Sequence, residues 1–399
     1  MRSITSALLL LAFMISWWVI WLTLSVVGIT NLYPPSLETL SQFGLLIFSM
    51  CLGFVSSLVI NYKKKLLNTH TRQSTTLNQG FIRVSNLILL AILILLLLSL
   101  YLSGFYTSSF VEYNIFVRTF GYGDYLTGSK IIDLITKVLI YPLIVTYSLV
   151  YFSLNERSIN KYLVFSTAIL YSLLWQVNYP IILLFWLSVL RVLYVNEKQI
   201  FRNLKPIFYI SLIAGGLLLA ATIRYGTGEF SKGVIEHYVI NYHIIGFSFY
   251  DQHVLNHNSL LYEHSFGRSS AGFFEQILDL ILRPLQLNWS AASFENRDYN
   301  MIPLRIGSNF EGNAFGTLLF TFYRDFSYMG VVLGGSLFGY FTCKAYLKSA
   351  INWRFMALLL LLLYSWFTGM MVSPIEQGYF WFSVVFLLVI SRFKVGKNE

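Results

Sequence analysis

VSNLILLAILILLLLSLYLSG, residues 84–104, carries no charged side chain over its whole length. Wound as a helix at about 1.5 Å per residue, such a run crosses the ~30 Å hydrocarbon layer of a bilayer. The rest of the chain repeats the theme. Hydrophobic residues make up 56% of the sequence, charged residues 12%, and mean hydropathy is +0.63. A water-soluble domain of that composition would have too little polar surface to cover its core. Working outward from 84–104, the further candidate spans are 7–28, 41–61, 131–152, 162–177, 179–195, 207–223, 326–346, 355–372 and 376–391. The stretch 162–195 is too long for one span, and Gln176, Asn178 and Pro180 interrupt it, so it reads as two helices. The expected fold class is an all-α polytopic membrane protein with about ten transmembrane helices and one large external loop.

Charge tests that reading independently. With a break in 162–195, one side of the membrane collects Arg2, the Lys63–Arg83 group, Arg157, Lys161, the Lys198–Lys205 group, Lys344, Lys348, Arg354 and the basic C-terminus. The short loops of the other side hold only Arg118 and Lys130. By the positive-inside rule the crowded side is cytoplasmic and both termini lie inside. A single helix at 162–195 would turn every later basic loop outward. The net charge of +10 is therefore a topology signal rather than a nucleic-acid patch. Arg2 followed by the apolar 7–28 reads as a retained first span, since no small-residue cleavage site follows. Cys51 and Cys343 both sit inside apolar runs, which suggests neither a disulfide framework nor a thiolate metal site.

This divides the chain into a bundle of about seven helices (1–223), a large external loop (224–325) and a final bundle of about three helices (326–399). Loops of that length are usually functional. Within it, Glu275, Gln276, Asp279 and Arg283 share one arc of a helical wheel, with Phe273, Phe274, Ile277, Leu278 and Ile281 filling much of the rest. The pattern predicts an amphipathic helix lying in the membrane interface or packed on the bundle. Five of the six histidines fall in this loop, with Arg224, Arg268, Arg283, Arg297, Arg305 and Arg324. The spans are nearly free of charge. Asp133 and Lys137 are the main exception, and an interfacial pair four residues apart explains them. Transporters place paired charges near the bilayer midplane, whereas this inventory sits at the outer surface.

Arginine's planar fork matches phosphate oxygens and stays charged at any biological pH. An outward-facing transferase has no nucleotide-activated donor and must draw its group from a lipid pyrophosphate. Arginines would neutralise the leaving pyrophosphate, and a carboxylate or histidine would take the proton of the attacking hydroxyl. Snorkelling or a loop salt bridge is the plainer role for any one arginine. His253 and His257 have zinc-ligand spacing on a helix, but no third ligand is evident, and no metal or cofactor is expected. Arg224-Tyr225-Gly226-Thr227-Gly228 could bend around a phosphate, yet its glycine spacing fits no phosphate-loop pattern. The pairs Arg305/Gly316 and Arg324/Gly335 share a spacing that 26 glycines produce by chance. Asn313, Thr317, Arg324 and Asp325 stand where the loop re-enters the membrane, and a charged pair there must face a cavity, water or a partner.

The string NAFGTLLFTFYRDFSYMGVVLGGSLFGY, residues 313–340, resembles the loop-exit segment of bacterial oligosaccharide repeat unit polymerases, the O-antigen polymerases of the Wzy type. Their pattern there is N-x-[YF]-x-T followed by F-Y-x-D-F-G-x-x-G; Ser327 stands here where glycine is commoner. The tyrosine-rich 238–250 and the amphipathic 273–283 are similar to the family's large external loop. The resemblance implies an enzyme of the bacterial inner membrane that moves a growing glycan from undecaprenyl pyrophosphate onto a new lipid-linked repeat unit. It implies membrane lipids, a chain-length regulator and a flippase as pathway partners, and no nucleic acid. On this chain it makes Arg224 and Arg268, with Arg305, Arg324 and Asn313, the candidates for holding pyrophosphate. His253, His257 and Asp325 become candidates for activating the acceptor hydroxyl. A ligase that attaches finished polymer to a lipid core is the alternative, with His257-Asn258 as its loop pair. An exporter of lipid-linked glycans would need a cationic path through the bundle, which these spans lack.

Overall fold

The computed structural model describes residues 4–28, 30–65, 79–102, 132, 135–154, 161–175, 177, 179–194, 240–282, 285, 289–308, 310–312, 316–350 and 352–390. The expected span 207–223, Asp133, Arg224 and Asn313 lie outside them.

The apolar runs form helices, named here in chain order: α1 (Ile4–Val27), α2 (Leu37–Lys65), α3 (Gln79–Leu102), α4 (Tyr141–Ser153), α5 (Lys161–Trp175), α6 (Tyr179–Tyr194), α7 (Tyr242–Leu255), α8 (Arg268–Leu282), α9 (Ala292–Asn300), α10 (Leu318–Ser349), α11 (Trp353–Thr368) and α12 (Gly378–Ile390). A π-turn, Thr136–Ile140, leads into α4. Four helices, within α1, α2, α3 and α10, are long and apolar enough to cross a membrane, and five shorter apolar helices accompany them. The interruption in 162–195 is present. α5 ends at Trp175, and α6 begins at Tyr179 with Pro180 in its first turn, where a missing N–H costs nothing. The paired strands among the described residues are a short antiparallel hairpin, β1 (Leu304–Gly307) and β2 (Phe310–Gly312).

The chain forms two compact units. One holds 74–228 and 382–399. In it Tyr141 packs on Tyr171 and Tyr179 at 5.4 and 4.6 Å, and the Thr146 and Ser383 hydroxyls meet at 2.9 Å. Arg191 donates to the Tyr151 carbonyl at 3.1 Å.

The other unit, 1–73 and 229–381, contains the polar chemistry. Its axis is the pair α2 and α10. Gln42 approaches Tyr328, Leu46 meets Gly335, and Met50 meets Gly339, so the two helices run parallel. A Cβ at Gly339 would stand 2.0 Å from the Met50 carbonyl oxygen. Only a missing side chain lets the backbones come that close, as where small residues pack membrane helices. α1 joins through aromatic contacts: Trp18 Nε1 donates to the Trp366 carbonyl at 2.9 Å, and Trp366 Nε1 returns the bond to Met14 at 3.0 Å. α7 lies against α1 and α2 with Phe247 and Tyr250 fully buried on Phe43.

The connections of this unit gather at the start of α2 and the start of α10. Residues 31–33 run beside the hairpin: Leu32 forms an isolated bridge with Gly307, and Tyr33 N–H donates to the Ile306 carbonyl at 2.8 Å. Asp251 takes hydrogen bonds from the Ser36 N–H (2.8 Å) and hydroxyl (2.5 Å), which fastens the entry of α2. The turn between α11 and α12 docks on α10, with Leu318 N–H donating to Gly369 at 2.6 Å.

Candidate functional site

α10 begins at Leu318, eight residues before the expected span, and Thr317 caps it through a 3.1 Å bond from Phe320 N–H. Arg324 and Asp325 thus belong to its first turns rather than to a loop exit. The helix breaks immediately afterwards, at Phe326 (φ −148°) and Ser327 (φ 54°). A break deprives the preceding carbonyls of their partners one turn on. Those of Arg324 and Asp325 accept instead from the N–H groups of Ser265 and Phe266, at 2.8 and 3.0 Å.

The break aims both charged side chains inward. Asp325 Oδ1 accepts from the Ser265 hydroxyl (2.5 Å) and Ser269 N–H (2.9 Å), and Oδ2 from Ser270 N–H (3.0 Å). A carboxylate on the first free N–H groups of α8 is a helix cap supplied from elsewhere in the chain. Three donors from the protein already occupy its two oxygens.

Arg324 is 3% exposed. Its guanidinium donates to Glu295 Oε2 at 2.6 Å, the Ala292 carbonyl at 3.0 Å, Asn296 Oδ1, and the Glu263 carbonyl at 3.4 Å. Asn296 passes the network on, donating to Ser269 Oγ (3.1 Å) and to Glu376 Oε1 (2.6 Å). The Thr321 hydroxyl also lies 2.6 Å from that oxygen, in contact with the Ser373 hydroxyl.

Glu376 occupies the turn Pro374–Glu376, just before α12. Burial raises its carboxyl from the ordinary 4.5 to about 8, against the opposing bonds from Thr321 and Asn296 and the pull of Arg324. It is a neutral acid at pH 7. Gly272 permits the close fit here: a Cβ on it would sit 2.5 Å from the Glu376 carbonyl oxygen.

Arg268 opens α8 and is held in a bidentate pair by Glu275, at 2.9 and 3.0 Å. Its guanidinium lies 4.6 Å over the Trp289 ring. The Glu275 bond holds its pKa above the ordinary arginine value. Its side chain is 37% exposed, against 4% for Arg324, so of the two it is the arginine a ligand can reach. Glu295 lies within the fields of both.

The amphipathic segment does form a helix, but with its faces reversed from those of a soluble protein. Glu275 and Asp279 are buried, while Phe274, Leu278 and Ile281 are exposed. The polar face turns to the network and the apolar face outward, as suits contact with lipid.

The remaining expected residues stand apart. His253 is buried among Phe249, Tyr299 and Phe320, with Nδ1 3.1 Å from Ser259 Oγ and no partner for Nε2. Burial lowers its pKa to about 4, so it is a neutral imidazole without solvent access. α7 ends at Leu255, which puts His257 in an exposed turn; the two histidines do not share a helix face. Arg305 is exposed on β1 and donates to the Ser308 carbonyl at 2.9 Å.

Arg268, Arg324 and Asp325 are therefore brought together, and His253, His257 and Arg305 do not join them. Sequence reasoning missed Glu376 and Asn296. Glu376 did leave a signal, as the lone charged residue between Phe355 and Ser391. Comparison with family models, curated proteins and solved structures finds no match.

Proposed function

We propose that this chain is a membrane-embedded glycosyltransferase that polymerises oligosaccharide repeat units carried on undecaprenyl pyrophosphate. It works at the outer face of the bacterial inner membrane, with ten spans and both termini in the cytoplasm. The observation that carries the reading is the arginine–carboxylate network, built where the connections of an apolar bundle converge. Its members come from 265–296, from the start of α10 and from the turn at 373–376. The parallel course of α2 and α10 agrees with the ten-span plan, in which both run from outside to inside.

In this reading the acceptor's hydroxyl oxygen attacks the anomeric carbon of the donor sugar. The bond from that carbon to the pyrophosphate oxygen breaks, and lipid pyrophosphate leaves with both electrons. Arg268, half-exposed and oriented by Glu275 and Trp289, meets the developing charge. Arg324, wholly engaged by the protein, positions the framework instead. His257, exposed and 5.9 Å from the Tyr262 ring, stands outside the arginine network on the side from which an acceptor approaches, and takes the hydroxyl proton in place of the buried His253 and the hydrogen-bonded Asp325.

A strain lacking the gene, examined on a polysaccharide gel, tests the reading. Single-repeat lipopolysaccharide is expected. Unmodified core with accumulated polymer would indicate a ligase instead, and an unchanged ladder would reject both. Restoring the gene with Arg268→Ala is expected to leave only single repeats while the protein stays in the membrane; a normal ladder would remove Arg268 from the mechanism.

A further inference from the structure

A second polar cluster lies near the first and takes no part in it. Glu38 and Gln42 stand one turn apart at the start of α2. Gln42 Nε2 is 3.4 Å from Glu38 Oε1 and 3.4 Å from the Tyr328 hydroxyl. Tyr250 of α7 donates its hydroxyl to the same amide's oxygen. Tyr323 and Tyr328 meet edge to face at 5.3 Å with their side chains hydrogen-bonded, and Tyr262 stands against Tyr323 at 6.2 Å. Gln42, Tyr250 and Tyr323 form a buried floor, Tyr262 is half-buried, and Tyr328 and Glu38 are exposed.

Tyrosines at the end of a membrane bundle ordinarily form a belt, spread round the circumference with hydroxyls among the headgroups. These do not. They come from α7, the turn Leu260–Tyr262 and α10, and they converge on one another and on a carboxylate–amide pair. Aromatic faces beside a few fixed polar groups are what small-molecule sites are built from. The complement of ring faces beside an exposed carboxylate acceptor is a sugar, with apolar C–H faces and neighbouring hydroxyls. The helix places this surface one residue from the arginine network, at the step from Tyr323 to Arg324. The Arg324 Nε bond to Glu263 likewise abuts Tyr262.

We infer that Tyr262, Tyr328 and Glu38, held over the buried Tyr323 and Gln42, form a carbohydrate subsite that seats the acceptor sugar of an incoming lipid-linked unit. Its assignment to the acceptor rests on the transferase reading; its assignment to a sugar rests on the geometry. Glu38 accepts from the sugar's hydroxyls and the Tyr262 and Tyr328 rings carry its apolar face, while the buried Gln42, engaged by Tyr250, holds Tyr328 in place.

The probe is the host's own repeat-unit oligosaccharide, released from its surface polysaccharide by limited acid hydrolysis. It is mixed with the full chain in detergent micelles, and binding is read by saturation-transfer NMR. Wild-type protein is expected to bind. Tyr328→Ala should weaken binding about tenfold, and Tyr328→Phe, which keeps the ring, much less. Glu38→Gln should weaken it about threefold by replacing one carboxylate acceptor oxygen with an amide donor. Both positions are exposed, and thermal melts of the variants confirm folding. No transfer to the wild type, or unchanged binding in both Tyr328→Ala and Glu38→Gln, overturns the subsite. If the variants lose binding while a gene deletion leaves the polysaccharide ladder intact, the subsite stands and the transferase reading falls. If deletion abolishes polymer and the variants bind normally, the reverse holds.

Discussion

The two halves of α10 are one helix by hydropathy and two different objects by packing. From Leu318 to Asp325 every residue is buried, and hydrogen bonds hold the segment: Thr321 to Glu376, Arg324 to Glu295 and Asn296, Asp325 to the head of α8. Beyond the break, the segment to Ser349 leaves Met329, Leu333, Leu337 and Phe341 exposed and is held on α2 by bare backbone at Gly335 and Gly339. Polar satisfaction fixes the first half and close van der Waals approach fixes the second. The break at Phe326–Ser327 separates them, and its freed carbonyls anchor the segment that leads into α8. Chemistry is thus concentrated in the half whose interactions have direction.

The sharpest way to break the contrast is Arg324→Ala. It strands the Glu295 carboxylate, the Asn296 oxygen and the Ala292 carbonyl, a loss of about 3–5 kcal/mol for a buried partner. Tryptophan-monitored unfolding in detergent should show a large drop in midpoint; an unchanged midpoint would mean the network contributes nothing to the fold.

Next comes pH. The folded Glu376 carboxyl holds its proton up to about 8, whereas the unfolded chain releases it near 4.5. The folded state binds more protons between those values, so stability is full below pH about 4.5 and falls as pH rises toward about 8. Glu376→Gln keeps a neutral side chain and should flatten that decline. A parallel decline in wild type and variant would assign the titration to another group.

A smaller effect is expected in the other half. Gly339→Ala forces the α2 and α10 backbones apart and should cost about 1–3 kcal/mol. Because it acts beyond the break, it should lower the melting point without altering the pH profile; a changed profile would couple the halves that the structure separates. Smallest is Ser327→Gly, which relieves a positive-φ conformation and should stabilise by about 1 kcal/mol. The lost hydroxyl contact to Tyr323 offsets part of the gain. A destabilised glycine variant would show that this contact outweighs the strain.

Much of the helical plan was legible residue by residue. Pro180 and its polar neighbours announced the break between α5 and α6, and the apolar arc of 273–283 announced α8. Period alone did not say what the polar face meets; here Glu275 meets Arg268 and the Ala292 N–H. Arg324 and Asp325 were visible as a charged pair, but their depth in a helix was not, since the Phe326–Ser327 break depends on contacts with 265–266. His253 and His257 looked like a pair until α7 ended between them.

The order of amino acids by itself determined where the chain is apolar enough to leave water, where Pro180 and its polar neighbours interrupt a helix, and which ends carry positive charge. Each of these follows from side chains a few residues apart. Tertiary structure alone decided which ionisable groups are buried, which are paired and which are reachable. Glu376 with Asn296, Ser36 with Asp251, and Gln42 with Tyr328 are joined across 80, 215 and 286 positions. A carboxyl's charge state and a tyrosine's neighbours depend on the local dielectric and on contacts that exist only once those distant segments have met.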